Sequence, residues 1–367
     1  MDNLNLIDEL ILGEQFNLDR ENKEKLLLQI IKPQLENNCD NLNIRSMYEK
    51  LGININEIQR LEDVPYIPVN MFKEFNLSVC KEQEVVRVLT SSATTTGIPS
   101  KIYLDKKTSI RQTQGLISTI SNFIGAERRP LLVIDSEDSN KRGGSITARG
   151  TAIRGVSTFA SNITYVMDKE LELDINKLYE FAEKYRNQEV LIYGFTYIVW
   201  SKFIKVLEEK GIKFDMHKIK LLHSGGWKKL ISQKVEKYEF NIRTAKVFNT
   251  SPSNIIDFYG MVEQVGVVFL DCECGHKHIA NFADVIIRDL ESLEEVKPGG
   301  TGIIQVMSIL GSSYPSQAIL TEDIGELIGI DDCPCGRKGK YFKFKARVEK
   351  AEVRGCGDTF AEMEREI

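Results

Sequence analysis

An α/β fold with a β-rich end is the class this sequence predicts, on three observations. From residue 84 onward, short apolar runs alternate with amphipathic segments of helical spacing, the pattern of a largely parallel sheet flanked by helices. Before that point the chain reads as helices alone, and after about residue 265 its texture turns β-rich. With 367 residues there is enough chain for one large or two medium domains around a substantial core. Hydrophobic residues at 42% and charged residues at 28% are ordinary for a globular protein, so a folded chain is expected.

Taken in order, "DRENKEKLLLQIIKPQLENN" sets charged and apolar residues at helical spacing and carries Pro and Asn at its end. "EVVRVLT" (84–90) reads as a strand, "KKTSIRQTQGLISTISNFIGA" (106–126) as a helix and "RPLLVID" (129–135) as a buried strand. Helix "DINKLYEFAEKYRN" (174–187), strand "EVLIYGF" (189–195), helix "TYIVWSKFIKVLEEKG" (196–211) and strand "KIKLLHSGG" (218–226) continue the alternation. The β-rich stretches are "VGVVFLDC", "ADVIIRDL", "GTGIIQVMSI", "ELIGI" and "YFKFKARVE". The expected layout is a helical segment over 1–80 packed on an α/β domain over 81–345. Residues 266–345 of that domain form the β-rich subdomain, and 346–367 are a short remnant.

Net charge is −5 and pI about 5.7, which argues against nucleic acid as the main partner, because phosphate backbones need a basic surface. A bilayer span takes about 18 consecutive apolar residues, and no such run exists. The opening "MDNLNLIDELILGEQF" is acidic and amphipathic, without the basic flank or apolar core of a signal peptide. A cytoplasmic protein is expected.

The stretch "RVLTSSATTTGIPSKIYLD" (87–105) places Thr90, Ser91, Ser92, Thr94, Thr95 and Thr96 in one loop closed by Gly97 and Pro99. Such residues suit a solvated hairpin loop, and equally a backbone-and-hydroxyl cradle for a polyphosphate. Lys101 follows it, either as a phosphate counter-charge or as a solvated strand lysine. Four further segments stand out. "LLHSGGWKKL" (221–230) is a strand entering a double-Gly turn, and "DFYGMVEQVG" (257–266) sets Tyr259, Gly260 and Glu263 in a loop. "AILTEDIGELI" (318–328) sets Asp323 in a polar turn between apolar runs, and "FKFKARVEKAEVRGCG" (342–357) carries Arg347. Each is common alone, but loops at the carboxyl ends of strands are where open α/β sheets bind ligands.

The order and spacing of these five segments resemble the adenylate-forming superfamily of acyl and aryl ligases. Within it they are most similar to the acyl-protein synthetases of bacterial luminescence and their phenylacetate–CoA ligase relatives. The likeness runs from about residue 60 to the C-terminus and implies a large adenylate-forming N-terminal domain with a truncated C-terminal domain. It makes "SSATTTG" the phosphate loop, with Ala93 where the family has Gly and one extra hydroxyl residue. Gly225, Gly226 and Trp227 become the adenine-side wall. "YGMVE" resembles the Tyr-Gly-x-Thr-Glu motif, whose tyrosine stacks on adenine and whose glutamate holds Mg²⁺; Val262 replaces the motif threonine. Asp323 resembles the acid on the ribose hydroxyls. Arg347 resembles the hinge arginine, with Glu349 and Lys350 in the pivot.

That resemblance implies ATP-dependent activation of a fatty or related carboxylic acid. A carboxylate is a poor electrophile, and its attack on the α-phosphate converts it to a mixed anhydride with AMP as leaving group. Bringing two anions together calls for Mg²⁺, N–H donors and cations. The chain lacks a Gly-x₄-Gly-Lys-[ST] loop, so a Walker-type NTPase is not expected.

Typical relatives continue past the hinge into a further domain, whereas here 20 residues follow Arg347. They include "EVRGCGDTF", in which Cys356 lies between two glycines that remove bulk and free the backbone. Arg354 beside it favours the thiolate, the nucleophilic form. A lone terminal cysteine is ordinarily inert. The resemblance instead implies that Cys356 takes the acyl group as a thioester and passes it to a partner acyl reductase. Transfer to coenzyme A or a carrier protein, and a non-catalytic nucleotide-binding subunit, are the alternatives.

Of seven cysteines, four form Cys-x-Cys pairs at 272/274 and 333/335, which in a reducing compartment more often bind metal than form disulfides. "DCECGHKHI" and "CPCGR" offer four thiols and two imidazoles, more than a tetrahedral zinc needs. Some phenylacetate–CoA ligase relatives are similar here, which picks out Cys272, His278, Cys333 and Cys335 as structural zinc ligands. Cys274 and His276 are then spare or alternates, and buried reduced thiols remain the other reading. Cys39 and Cys80 are taken as structural.

Overall fold

The computed structural model describes residues 3–91, 99–140, 148–227 and 234–347. The phosphate-loop residues Ser92, Thr94, Thr95, Thr96 and Gly97 lie outside them, as do Glu349, Lys350 and Cys356.

The chain opens with helices α1 (Asn3–Leu12), α2 (Arg20–Asn38) and α3 (Leu42–Lys50). Asp19 caps α2 by accepting the Asn22 N–H at 2.9 Å. Leu27, Ile30, Ile31 and Leu35 form its buried stripe. Pro33 lies within this helix, which continues to Asn38. A two-residue strand β1 (Ile67–Pro68) and a one-turn helix α4 (Met71–Glu74) follow. Next come the hairpin β2 (Val85–Thr90) and β3 (Lys101–Asp105), then α5 (Lys106–Ile124).

The alternation read from the sequence then appears as β4 (Arg129–Ser136), α6 (Ala148–Ser157), β5 (Ala160–Met167), α7 (Ile175–Tyr185) and β6 (Val190–Phe195). The segment expected as one helix is three: α8 (Thr196–Ile198), a π-helical turn (Val199–Ile204) and α9 (Lys205–Glu209). The turn holds Trp200, fully buried, stacked 5.6 Å from Phe240 and under the Arg243 guanidinium at 4.4 Å. After it come β7 (Ile219–Ser224), α10 (Lys237–Phe248) and β8 (Ile255–Gly260). The remaining strands are β9 (Val268–Leu270), β10 (Lys277–His278), β11 (Ala283–Arg288), β12 (Thr301–Ser308), β13 (Ala318–Ile330) and β14 (Lys340–Arg347).

The chain divides into two compact units. One comprises the residues up to Thr119, Met261–Phe269 and those from Cys274 on; the other comprises Ile120–Gly260 with Leu270–Glu273. The second is a parallel sheet in the order β5-β4-β6-β7-β8. Leu131–Ile134, Leu191–Tyr193, Leu221 and Leu222 are fully buried in it, as expected for parallel strands covered on both faces. In the first unit, β10-β14-β13-β12-β11 form an antiparallel sheet, with β1 parallel to β13. No helix among the described residues is long and apolar enough to cross a membrane.

Candidate active site and metal centre

In the first unit the site is built around Glu263. It sits in a 3₁₀ turn, Val262–Gln264, and is only 5% exposed. Tyr314 Oη donates to the Glu263 carbonyl at 2.8 Å, and Gln112 Nε2 from α5 donates to Tyr314 Oη at 3.2 Å. Gln264 Nε2 donates to the Ser316 carbonyl. Gly266, at φ 92°, lets the chain press onto α5: a Cβ there would stand 2.5 Å from the Gln112 carbonyl oxygen. Burial pushes the Glu263 carboxyl above the usual carboxylate range. Ser100, the residue's own N–H, and the charges of Lys73 and Arg347 pull it part of the way back.

The hydroxyl-rich loop ends at Ser100, whose hydroxyl acts on this carboxyl. Ser91 Oγ accepts the Ser100 N–H at 2.9 Å, and the Ser91 N–H donates to the Ser100 carbonyl at 3.2 Å. The two bonds extend the β2–β3 ladder by one step beyond the Thr90–Lys101 pair. Ser100 is fully buried, and its hydroxyl favours the ionised form of Glu263. Lys101, the candidate phosphate counter-charge, is exposed at the first position of β3.

Asp323, expected in a turn, lies within the 13-residue strand β13. The three polar residues Thr321, Glu322 and Asp323 lie where the β12–β13 register shifts between Leu320 and Ile324, and Thr321 Oγ1 takes over the local hydrogen bonding. It donates to the Ile304 carbonyl at 2.7 Å and accepts the Asp323 N–H at 3.1 Å. Asp323 faces Arg347 across the β13–β14 ladder, with Nε 3.4 Å from Oδ1. Among the candidates of this unit, the described residues Ser91, Glu263, Asp323 and Arg347 are thus linked, through Ser100 and the Arg347 charge. Sequence reasoning missed Ser100 and Lys73. The one signal for Ser100 was its place at the loop's end, and for Lys73 there was none.

In the second unit, the remaining candidates stand at the carboxyl ends of β7 and β8. Tyr259 and Gly260 are the last residues of strand β8, not loop residues as expected. Gly225, at φ 84°, follows β7, where a Cβ would meet the Phe195 ring at 2.8 Å, so the turn requires glycine. Around Gly226 there is open space. Trp227 meets Trp200 edge-on at 6.2 Å. Buried His223, two residues before Gly225, holds Thr196 Oγ1 at 2.9 Å through Nδ1, with Asp257 Oδ1 3.7 Å away.

The thiols and imidazole picked out at 272, 278, 333 and 335 come together. Their ligand atoms all lie within 4.8 Å of one another, and Cys272, His278 and Cys333 are buried. Cys335 Sγ is 3.3 Å from His278 Nε2. Gly336, at φ 84°, closes the Cys-x-Cys turn by donating its N–H to the Cys333 carbonyl at 2.9 Å. His278 is set by β10, which pairs with Tyr341 of β14, and its ring stacks on Tyr341 at 5.5 Å. His276 Nδ1 approaches Cys333 Sγ at 3.4 Å, outside the four-atom cluster, and Cys274 is exposed. Three thiols and one imidazole converging in a buried corner fit a closed tetrahedral zinc. Burial pushes the Cys39 thiol up, as suits a structural cysteine.

Comparison with known proteins places this geometry in a family. The family model described as "Acyl-protein synthetase, LuxE" matches residues 2–364. A long-chain-fatty-acid–luciferin-component ligase of Vibrio harveyi is 23% identical over 95% of this chain and 91% of its own length. A ligase of the same name from Aliivibrio fischeri is 22% identical over 83% and 80%. An open-conformation 2-hydroxyisobutyryl-CoA ligase in complex with 2-HIB-AMP and CoA superposes with TM-score 0.68 at 14% identity, covering 92% of this chain and 78% of that one. The same ligase in its postadenylation state gives 0.66 over 89% and 68%. The fold is therefore that of the adenylate-forming enzymes, and the chain belongs to the acyl-protein synthetase family, LuxE.

Proposed function

We propose that this chain activates a fatty or related carboxylic acid with Mg·ATP and then carries the acyl group on Cys356 for delivery to a partner acyl reductase. Family membership and the names of the two relatives from Vibrio harveyi and Aliivibrio fischeri support an acid ligase. Adenylation at this site is carried by one observation: a buried carboxyl, Glu263, at the foot of a hydroxyl-rich loop. In the first step a substrate carboxylate oxygen attacks the α-phosphorus of ATP. The bond from that phosphorus to the bridging oxygen breaks, and pyrophosphate leaves with the electron pair. Ser91, Ser92, Thr94, Thr95, Thr96 and Gly97 hold the phosphates, Lys101 and Arg347 supply positive charge, and Asp323 binds the ribose hydroxyls. Gly225, Gly226, Trp227, Tyr259 and Gly260 contact adenine. Glu263 would hold magnesium, which when bound would supply charge neutralisation at the phosphates. In the second step the Cys356 thiolate attacks the acyl carbonyl, the carbon–oxygen bond to phosphate breaks, and AMP leaves. Zinc at Cys272, His278, Cys333 and Cys335 is assigned a structural role, since a closed four-ligand site has no open position.

Intact-protein mass spectrometry after incubation with Mg·ATP and a mixture of fatty acids tests this reading. The expected result is one acyl adduct per chain, lost on hydroxylamine treatment and absent from Cys356→Ser. Equal loading of the Ser variant contradicts the role of Cys356. Loading of neither protein, with acyl groups passing to added coenzyme A, moves the acceptor from cysteine to coenzyme A.

A further inference from the structure

We propose that His276 is a hydrogen-bond donor that stabilises the Cys333 thiolate of the metal centre from outside the ligand set, a role that rests on the zinc reading given above. His276 and His278 flank Lys277, and both imidazoles stack on the Tyr341 ring of β14. The His276 ring lies at 5.0 Å and 29°, the His278 ring at 5.5 Å and 21°. Tyr341 is itself fixed, since its Oη donates to Asp332 Oδ1 at 2.8 Å. Gly329 leaves room for that bond, because a Cβ there would collide with Tyr341 Oη. On this shared platform the two rings have different tasks. His278 Nε2 lies 3.3 Å from Cys335 Sγ, inside the four-atom cluster, whereas His276 Nδ1 lies 3.4 Å from Cys333 Sγ and outside it.

Cys272, His278, Cys333 and Cys335 would complete a tetrahedral zinc, so His276 meets Cys333 as a neighbour and not as a fifth ligand. A cysteine that binds metal does so as a thiolate, without a proton of its own. The 3.4 Å contact then requires the His276 tautomer with its proton on Nδ1, the N–H donating to Sγ. Three thiolates around one dication leave a net charge of −1. Cys333 is only 5% exposed, so little water is at hand to solvate its share. An N–H aimed at the sulfur supplies that solvation from a fixed position, as partners of metal ligands commonly do. The imidazole stays neutral throughout. Cys274, the remaining cysteine of the two Cys-x-Cys pairs, is exposed and lies outside the cluster.

The experiment compares three variants with the parent protein. His276→Phe keeps a stacking ring but no donor, His276→Asn restores an N–H near the Nδ1 position, and Cys274→Ser is the control. Zinc affinity is measured by competition with a chromophoric chelator, and absorption spectra are recorded on the cobalt(II)-substituted proteins. His276→Phe is expected to bind zinc about 10–100-fold more weakly than the parent. Its cobalt spectrum should keep tetrahedral geometry and the charge-transfer intensity of three thiolates. His276→Asn should recover most of the affinity, and Cys274→Ser should match the parent. Zinc binding by His276→Phe within about twofold of the parent overturns the proposal. His276→Asn as weak as His276→Phe reduces the residue to packing and overturns it equally. Loss of the tetrahedral cobalt spectrum in His276→Phe makes His276 a ligand and also overturns it. A parent protein that takes up neither zinc nor cobalt overturns the zinc reading beneath.

Discussion

At the residue scale, Glu263 is where function and stability oppose each other. Its carboxyl is held above the usual range, first by burial, with Ser100 and two cations partly compensating. A carboxylate with a raised folded-state pKa costs stability above its unfolded pKa, and that cost grows as pH rises through the folded value. Glu263→Gln should therefore melt at least as high as the parent at neutral pH, with any advantage vanishing below about pH 4. Activity runs the other way. Metal binding needs the ionised form, so the acid limb of the pH–rate profile should lie above the range of an ordinary glutamate, and Glu263→Gln should lose about 10²–10³-fold. A Gln variant that is less stable and fully active would contradict both halves. The residue identity was legible in "YGMVE"; its burial was not. Burial depends on Tyr314, Gln112 and Ser100, which lie 51, 151 and 163 residues away along the chain.

At the element scale, the sequence was most legible where periodicity was strongest. β4, β6 and β7 appear where continuous apolar runs placed them, and α5 and α7 where amphipathic spacing placed them. Asp323 was misplaced because three consecutive polar residues resemble a turn, yet Thr321 satisfies the strand locally and Arg347 pairs with the acid across the ladder. Tyr259 and Gly260 were misplaced by one boundary, the least certain feature of any such reading. The Cys/His corner belongs to this scale too, since it ties the Cys-x-Cys turn to the end of β10 and β14. Elemental analysis should find about one zinc per chain. Cys333→Ser, or chelation, should lower the melting temperature by about 5 °C or more. Metal-free protein with an unchanged melting temperature would leave the corner as a cluster of reduced thiols.

At the scale of the whole molecule, composition excluded more than it identified. A net charge of −5 argues against a nucleic-acid partner, and ordinary globular composition sets no substrate. Identification came from five weak segments in one order, and the family match over residues 2–364 agrees with it. The roles of individual residues stayed beyond the sequence, because a hydroxyl-rich loop, a lone acid and a surface lysine each have ordinary structural uses. Only contacts distinguish them, and for that loop the described contacts are those between Ser91 and Ser100 that close the hairpin. Every functional role proposed for these residues requires that the chain form an acyl-adenylate. The exchange of labelled pyrophosphate into ATP tests it most directly, with and without long-chain fatty acid. Exchange that requires both the acid and Mg²⁺, and that collapses in Glu263→Gln, is the predicted result. No exchange with any carboxylic acid, in protein that still binds Mg·ATP, would contradict it.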